Sequence, residues 1–213
     1  FGAYHDMLGP DVNIAHGNHF SQEDVQHAVD AGASFSSTPE VEMQMGHGIP
    51  VTDKVLEAGG RPTWGVDVCS SVSGDMGSQM RIGLQLQRMF DNQAVLEGDE
   101  EVTEVSITCR DTLEMATIEG ARALGLEDEI GTLTPGKRAD VVMIRTDDFM
   151  TAPSHSPIQT AVFQSDPSHI DTVLVDGEPV KRHGELLNPL AEAEFDRFVQ
   201  SGRRLVDEAG IDL

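Results

Sequence analysis

Val12-Asn13-Ile14-Ala15-His16, followed by Gly17-Asn18-His19-Phe20 and then by a segment running from Ser21 to Gly32, is the stretch from which the fold is read. The first five residues form a short extended run. Ser21 and Asp24 have the spacing of a capping box, so residues 21–32 are expected to be helical. Gly32 can take the left-handed conformation that ends such a helix. A second run, Ala33-Ser34-Phe35-Ser36-Ser37, stops at Pro39. A helical stretch over 50–58 follows, with Pro50 suited to a first turn and Gly59-Gly60 at its end. The third run, Pro62-Thr63-Trp64-Gly65-Val66-Asp67, leads through a Gly- and Ser-rich loop into a long amphipathic helix over 78–92. Met80, Leu84, Leu86 and Met89 are expected on one side of it. Strand and helix alternating three times at this spacing predict a parallel α/β sheet or barrel, and three units cannot close a barrel.

Beyond that unit the pattern changes. The acidic stretch 92–106, with Glu97, Asp99, Glu100, Glu101 and Glu104, reads as a solvated loop, and a helix is expected over 112–124 before Gly125. Ala139-Asp140-Val141-Val142-Met143-Ile144 has the character of a buried strand. Residues 172–180 read as a hairpin turning at Asp176-Gly177. A terminal helix over 190–209 carries Phe195, Phe198, Val199, Leu205 and Val206 between charges. The expected organisation is therefore an α/β part over 1–129, the strands of a small sheet over 130–187 and a C-terminal helix over 188–213.

Composition narrows the function. In 213 residues, Asp and Glu number 37 against 14 Lys and Arg, a formal net charge of −23. Its lysines are Lys54, Lys137 and Lys181. Such a surface cannot supply the clustered cations that neutralise phosphates, so nucleic acid and anionic membranes are excluded as partners. The acidic excess suits a surface hydrated at high salt, where screening removes self-repulsion, and a halophilic source is expected. No apolar run approaches the ~20 residues of a membrane-spanning helix, and no secretory signal pattern opens the chain, so the expected location is the cytoplasm. Cys69 and Cys109 form no CxxC arrangement and are expected to be buried small hydrophobes. The opening at Phe1 without an initiator methionine is what a fragment of a longer protein would give.

In a parallel α/β fold, ligands bind at the carboxyl ends of strands. His16 ends the first expected strand and Asp67 the third. An imidazole and a carboxylate converging there can hold a divalent metal or activate its water. Each also has a plainer role open to it: His16 can bond to a loop, and Asp67 can cap the turn after it. The segment Gly131 to Lys137 fits the start of a phosphate-binding loop, but Arg138 stands where Ser or Thr would hold Mg²⁺ and a strand follows where a helix is needed. No GxSxG elbow occurs, which disfavours a serine hydrolase.

Asn13-Ile14-Ala15-His16-Gly17-Asn18-His19, Ser37-Thr38-Pro39-Glu40, Met45-Gly46-His47-Gly48, Gly65-Val66-Asp67 and the run from Gly131 to Val142 together resemble the amidohydrolase superfamily, in its cytosine-deaminase-like and chlorohydrolase-like branch. The resemblance spans nearly the whole chain in the family's order. It implies a partial (β/α)8 TIM barrel, about its last three βα units, beside strands of a flanking β-sandwich and a C-terminal helix. It also implies one divalent metal, Zn or Fe, whose bound hydroxide attacks an amidine-like or halogenated carbon of a heterocycle. His16 corresponds to the histidine that sits beside the metal and orients water or substrate. Asp67 corresponds to the aspartate that ligates the metal and shuttles the proton to the leaving group. His19, Glu40 and His47 are expected to face substrate from the rim, and Asp75 and Met76 to lie in a loop that covers it. His27, His155, His169 and His183 are expected at the surface.

The family's His-x-His pair and a further metal-binding histidine precede the position of His16, yet the residues before it contain only His5. The chain by itself is therefore not expected to hold a catalytic metal tightly. The implied function is the C-terminal part of a metal-dependent hydrolase of non-peptide carbon–nitrogen bonds, deaminating or dechlorinating a purine- or triazine-like ring. The alternative is a truncated, catalytically silent relative acting as a subunit or binding module. Open strand edges predict a homo-oligomer or association with a missing N-terminal portion.

Overall fold

The computed structural model describes residues 6–210. His5 lies outside the described residues. Three short parallel strands, β1 (Asn13–Ala15), β2 (Ser34–Ser37) and β3 (Thr63–Trp64), form a sheet in the order β1-β2-β3. Their register pairs Ile14 with Phe35 and Ser37 with Trp64. Helix α1 (Gln22–Asp30) joins the first two strands; the Ser21–Asp24 capping box forms and Gly32 has φ 89°. Between β2 and β3 run α2 (Pro39–Gln44) and α3 (Thr52–Glu57). The sequence pattern gives only the second of these. The first is a single Pro-initiated turn and a half, too short to show a helical period.

One face of the sheet is closed by α1 and α3. Val25, Ala28, Phe35, Val51 and Val55 form that core, with Val12, Ile14 and Phe20 packed against it. The other face bears Asn13, whose amide nitrogen donates to Ser34 Oγ at 2.9 Å while its oxygen accepts from Ser36 Oγ at 2.9 Å. A parallel sheet is stable only when apolar strands are covered, and here the uncovered face is made of small polar groups that bond to one another.

Helix α4 (Met76–Glu97) is longer than the sequence pattern predicts and takes in part of the stretch read as an acidic loop. Asp75 caps it, accepting from the Ser78 amide at 2.8 Å. Met80 and Leu84 are buried, but Met89 is exposed, and Gln79 and Gln87 are buried instead. Trp64 causes this close packing: a Cβ on Gly83 would lie 2.8 Å from its ring, so only glycine lets the helix approach. The indole Nε1 donates to the backbone carbonyl of Thr112 at 3.1 Å and to its hydroxyl at 2.9 Å. The helix expected over 112–124 is two, α5 (Cys109–Met115) and α6 (Ile118–Ala123), broken at Thr117. A capping box from Thr108 and Asp111 starts α5 earlier than its apolar pattern suggests. Cys109 is buried and Cys69 is exposed, correcting the expectation for Cys69, which sits in the loop after β3.

The second sheet is antiparallel, in the order β4 (Val141–Ile144), β5 (Ile170–Val175), β6 (Glu178–Arg182) and β7 (Glu185–Leu186). A short helix α7 (Pro157–Gln159) and a π-helical turn (Thr160–Gln164) connect β4 to β5. Asp176 and Gly177 have φ 53° and 84°, the two positive values a tight hairpin requires. Strand β4 is not buried as its composition suggests: Val142 and Met143 are exposed. His169 departs from the expected surface position. It is 3% exposed and held between Asp148 (Nε2, 2.9 Å) and Asp166 (Nδ1, 2.9 Å), tying the loop after β4 to β5. Helix α8 (Ala191–Ala209) ends the described chain and buries none of its residues. Among the described residues no helix is long and apolar enough to cross a membrane.

Candidate active site

The carboxyl ends of β1, β2 and β3 meet at one rim. The amide of His16 still donates to Ser36 O at 2.8 Å, which holds it in line with the strand, but its own φ is 66°. Asp67, three residues beyond β3, has φ 64°. Left-handed backbone is uncommon outside glycine, with His and Asp among the residue types that tolerate it, and it collects at functional sites. Here it turns the backbone at the ends of both segments.

The turn brings the two side chains together. His16 Nε2 lies 3.9 Å from Asp67 Oδ2, and both side chains are one-third exposed. Asp67 makes no hydrogen bond among the described residues, so it does not cap the turn after it; Asp75, further on, caps α4. The His47 ring stands edge-on to His16, with centroids 5.5 Å apart and planes at 87°.

Other candidates are placed differently. Glu40 is drawn toward α4, where Gln79 Nε2 donates to its Oε2 at 2.8 Å and Ser73 Oγ donates at 3.4 Å. His19 is exposed beside Gly48, where a Cβ on that glycine would lie 3.7 Å from its ring. Asp75 and Met76 form the start of α4 and not a free covering loop. Two other groups are shifted from their ordinary titration range. Burial pushes the Cys109 thiol up despite the nearby Arg88. Partial burial works to raise the Asp75 carboxyl, but the Ser78 hydroxyl and amide, with Ser73 and Arg81, outweigh it and hold the group below its usual range.

Glu42, on α2, reaches the candidate site, and the sequence does not distinguish it from Glu40. Its side chain is fully buried, and its Oε1 lies 3.0 Å from His16 Nδ1. The only sequence signal is its helical spacing from Pro39, which places it on the inner side of a helix that the apolar pattern does not reveal.

An imidazole nitrogen and a carboxylate oxygen are suitable ligands for zinc or iron. Catalytic zinc takes three protein ligands, and no group of three His, Cys, Asp or Glu able to hold a metal occurs among the described residues. His16 and Asp67 therefore fit a share of a metal site and do not complete one.

Residues 3–180 match the model of the amidohydrolase family. The chain belongs to that family. It is 34% identical over 197 residues to a 5-methylthioadenosine/S-adenosylhomocysteine deaminase of Desulforudis audaxviator, a match covering 92% of this chain and 44% of the relative. The chain thus spans under half the length of this curated relative. Among solved structures, an adenosine deaminase from Xanthomonas campestris with bound zinc superposes with a TM-score of 0.83 at 24% identity, over 93% of this chain and 43% of that one. An atrazine chlorohydrolase from Arthrobacter aurescens complexed with zinc gives 0.74 at 22% identity, over 93% and 41%. These likenesses place the α/β portion in a TIM-barrel-like fold.

Proposed function

We propose that this chain is the C-terminal part of a metal-dependent hydrolase that deaminates an adenosine-type nucleoside, with dechlorination of a triazine-like ring as the related chemistry. The observation that carries it is the approach of His16 Nε2 to Asp67 Oδ2 at the carboxyl ends of parallel strands. The first three strands would be the last three of a (β/α)8 barrel, residues 130–187 strands of a flanking sandwich, and 188–213 a terminal helix. The sheet order and the open polar face of β1 and β2 support that reading.

Asp67 would hold the metal, with His16 beside it and the remaining ligands outside the described residues. When bound, the metal supplies Lewis acidity that makes water nucleophilic near neutral pH. Asp67 takes a proton from the attacking water at Oδ2 and passes it to the departing nitrogen, so that water adds and ammonia leaves. His16 Nε2 orients water or substrate, and His47 walls the same space from its edge-on position. His19 and Glu40 contribute from the outer rim. The metal would be zinc or iron, the substrate a small heterocycle, the compartment cytoplasmic and the surface adapted to high salt. The open edges would be covered by a further portion of the protein or by a second copy.

The test is an assay of the natural-length protein for ammonia release from 5-methylthioadenosine, S-adenosylhomocysteine and adenosine, and for chloride release from atrazine. Ammonia release from at least one nucleoside, lost on chelation and restored by zinc, is expected. A zinc-loaded protein that releases neither ammonia nor chloride overturns the proposal.

A further inference from the structure

We propose that Glu42 is a positioning residue that fixes the ring of His16 in one tautomer, with Nδ1 protonated and the Nε2 lone pair directed at Asp67. The inference rests on the reading of His16 and Asp67 as site residues and assigns the group that aims one at the other.

The Glu42 side chain is 0% exposed, and among the described residues no Lys or Arg pairs with it. Burying a carboxylate is costly, and a group needed only to fill space would be replaced by an apolar or amide side chain with little loss. Its partners are donors. The Thr38 amide donates to Oε1 at 3.0 Å and the Thr38 hydroxyl reaches the same oxygen at 3.3 Å. Ser37 Oγ donates to Oε2 at 3.2 Å and itself accepts from Thr52 Oγ1 at 3.2 Å. This network anchors the carboxylate to the end of β2 and to the start of α3, two elements packed in the core.

The remaining contact is to His16 Nδ1, 3.0 Å from Oε1. The Thr38 hydroxyl lies 3.3 Å from both Nδ1 and Oε1 and donates to the carboxylate, which accepts from the ring as well, so Nδ1 carries a proton and the neutral ring has its lone pair on Nε2. The backbone of His16 is already fixed by its bond to Ser36 O, and Glu42 fixes the ring. In that neutral tautomer Nε2 and Oδ2 face one another across 3.9 Å as two acceptors, an arrangement satisfied by a proton donor or a cation between them. The same logic governs site histidines in general, where the bond made by one ring nitrogen sets what the other can do.

The experiment uses the natural-length protein with ¹⁵N-labelled histidine rings, read by long-range ¹H–¹⁵N spectra at one pH near neutrality. The His16 signal is assigned by its loss in His16→Gln. The expected wild-type pattern is protonated Nδ1 and unprotonated Nε2. Glu42→Gln, which keeps an accepting oxygen, should retain it, and Glu42→Leu should lose the bias. Where turnover is measurable, Glu42→Leu should lower kcat by about 10–100-fold with KM nearly unchanged. Protonated Nε2 in the wild type, or an unchanged tautomer in folded Glu42→Leu, overturns the proposal. If Glu42→Leu does not fold, the wild-type tautomer decides alone. The tautomer is read without substrate, so an inactive protein with the expected ring pattern counts against the hydrolase reading and not against Glu42.

Discussion

The parallel and antiparallel sheets of this chain treat their apolar residues in opposite ways. In the parallel sheet Phe35 is wholly buried between α1 and α3, and Trp64 is locked by Gly83 and Thr112. In the antiparallel sheet Val142, Met143 and Val180 are exposed, and α8 leaves Phe195 and Phe198 at 65% and 75% exposure. The core around Phe35 is built from the first region's own residues, and that around Trp64 also takes in Val162 from the connection between β4 and β5. The second displays apolar faces that none of the described residues covers. The site lies on the first, where His16 and Asp67 are carried by strand ends rooted in a packed core, which is how side chains are held to within a fraction of an ångström.

That contrast can be broken by mutation. The largest stability effect is expected from Phe35→Ala, which removes a fully buried ring and should cost about 3–5 kcal/mol in chemical denaturation. A loss below about 1 kcal/mol would mean that the parallel region is not the stable one. A smaller effect concerns acid. The Asp111 carboxyl is raised by partial burial but lowered more by the Thr108 hydroxyl and amide and by Arg61, so its folded value is depressed. A depressed carboxylate contributes stability that is present above its unfolded value near ~4 and is lost as pH falls through its folded value. Asp111→Asn should therefore lower stability at neutral pH by less than about 1 kcal/mol, because the pair with Arg61 is partly solvated, and flatten the decline below pH ~4, as read from denaturation midpoints. The smallest effect is expected at α8: Phe198→Ala should change stability by no more than about 0.5 kcal/mol. A large loss there would show that a further segment or a second copy covers that face.

The fold was legible where local chemistry is strong. The Ser21–Asp24 box, Gly32, the Asp176-Gly177 turn and the alternation of strands with helices each follow from short-range rules. What the pattern hides depends on tertiary contact. Gln79 and Gln87 replace Met89 on the buried side of α4 because Glu40, Asp53 and Asp91 offer them hydrogen bonds there. Helix α2 is too short to show a period, and Glu42 was hidden with it. His169 reads as a surface histidine until Asp148 and Asp166 are seen on either side. In the candidate site, the sequence points to His16 and Asp67 as strand-end residues, but their positive φ values and the carboxylate behind His16 emerge only from the packed structure.

The role of the His16–Asp67 pair is decided by Asp67→Asn in the natural-length protein, with turnover and metal per chain measured on the same preparation. Turnover is expected to fall by at least about 100-fold and metal content to drop while the protein stays folded. Wild-type turnover and metal content in Asp67→Asn would contradict that role.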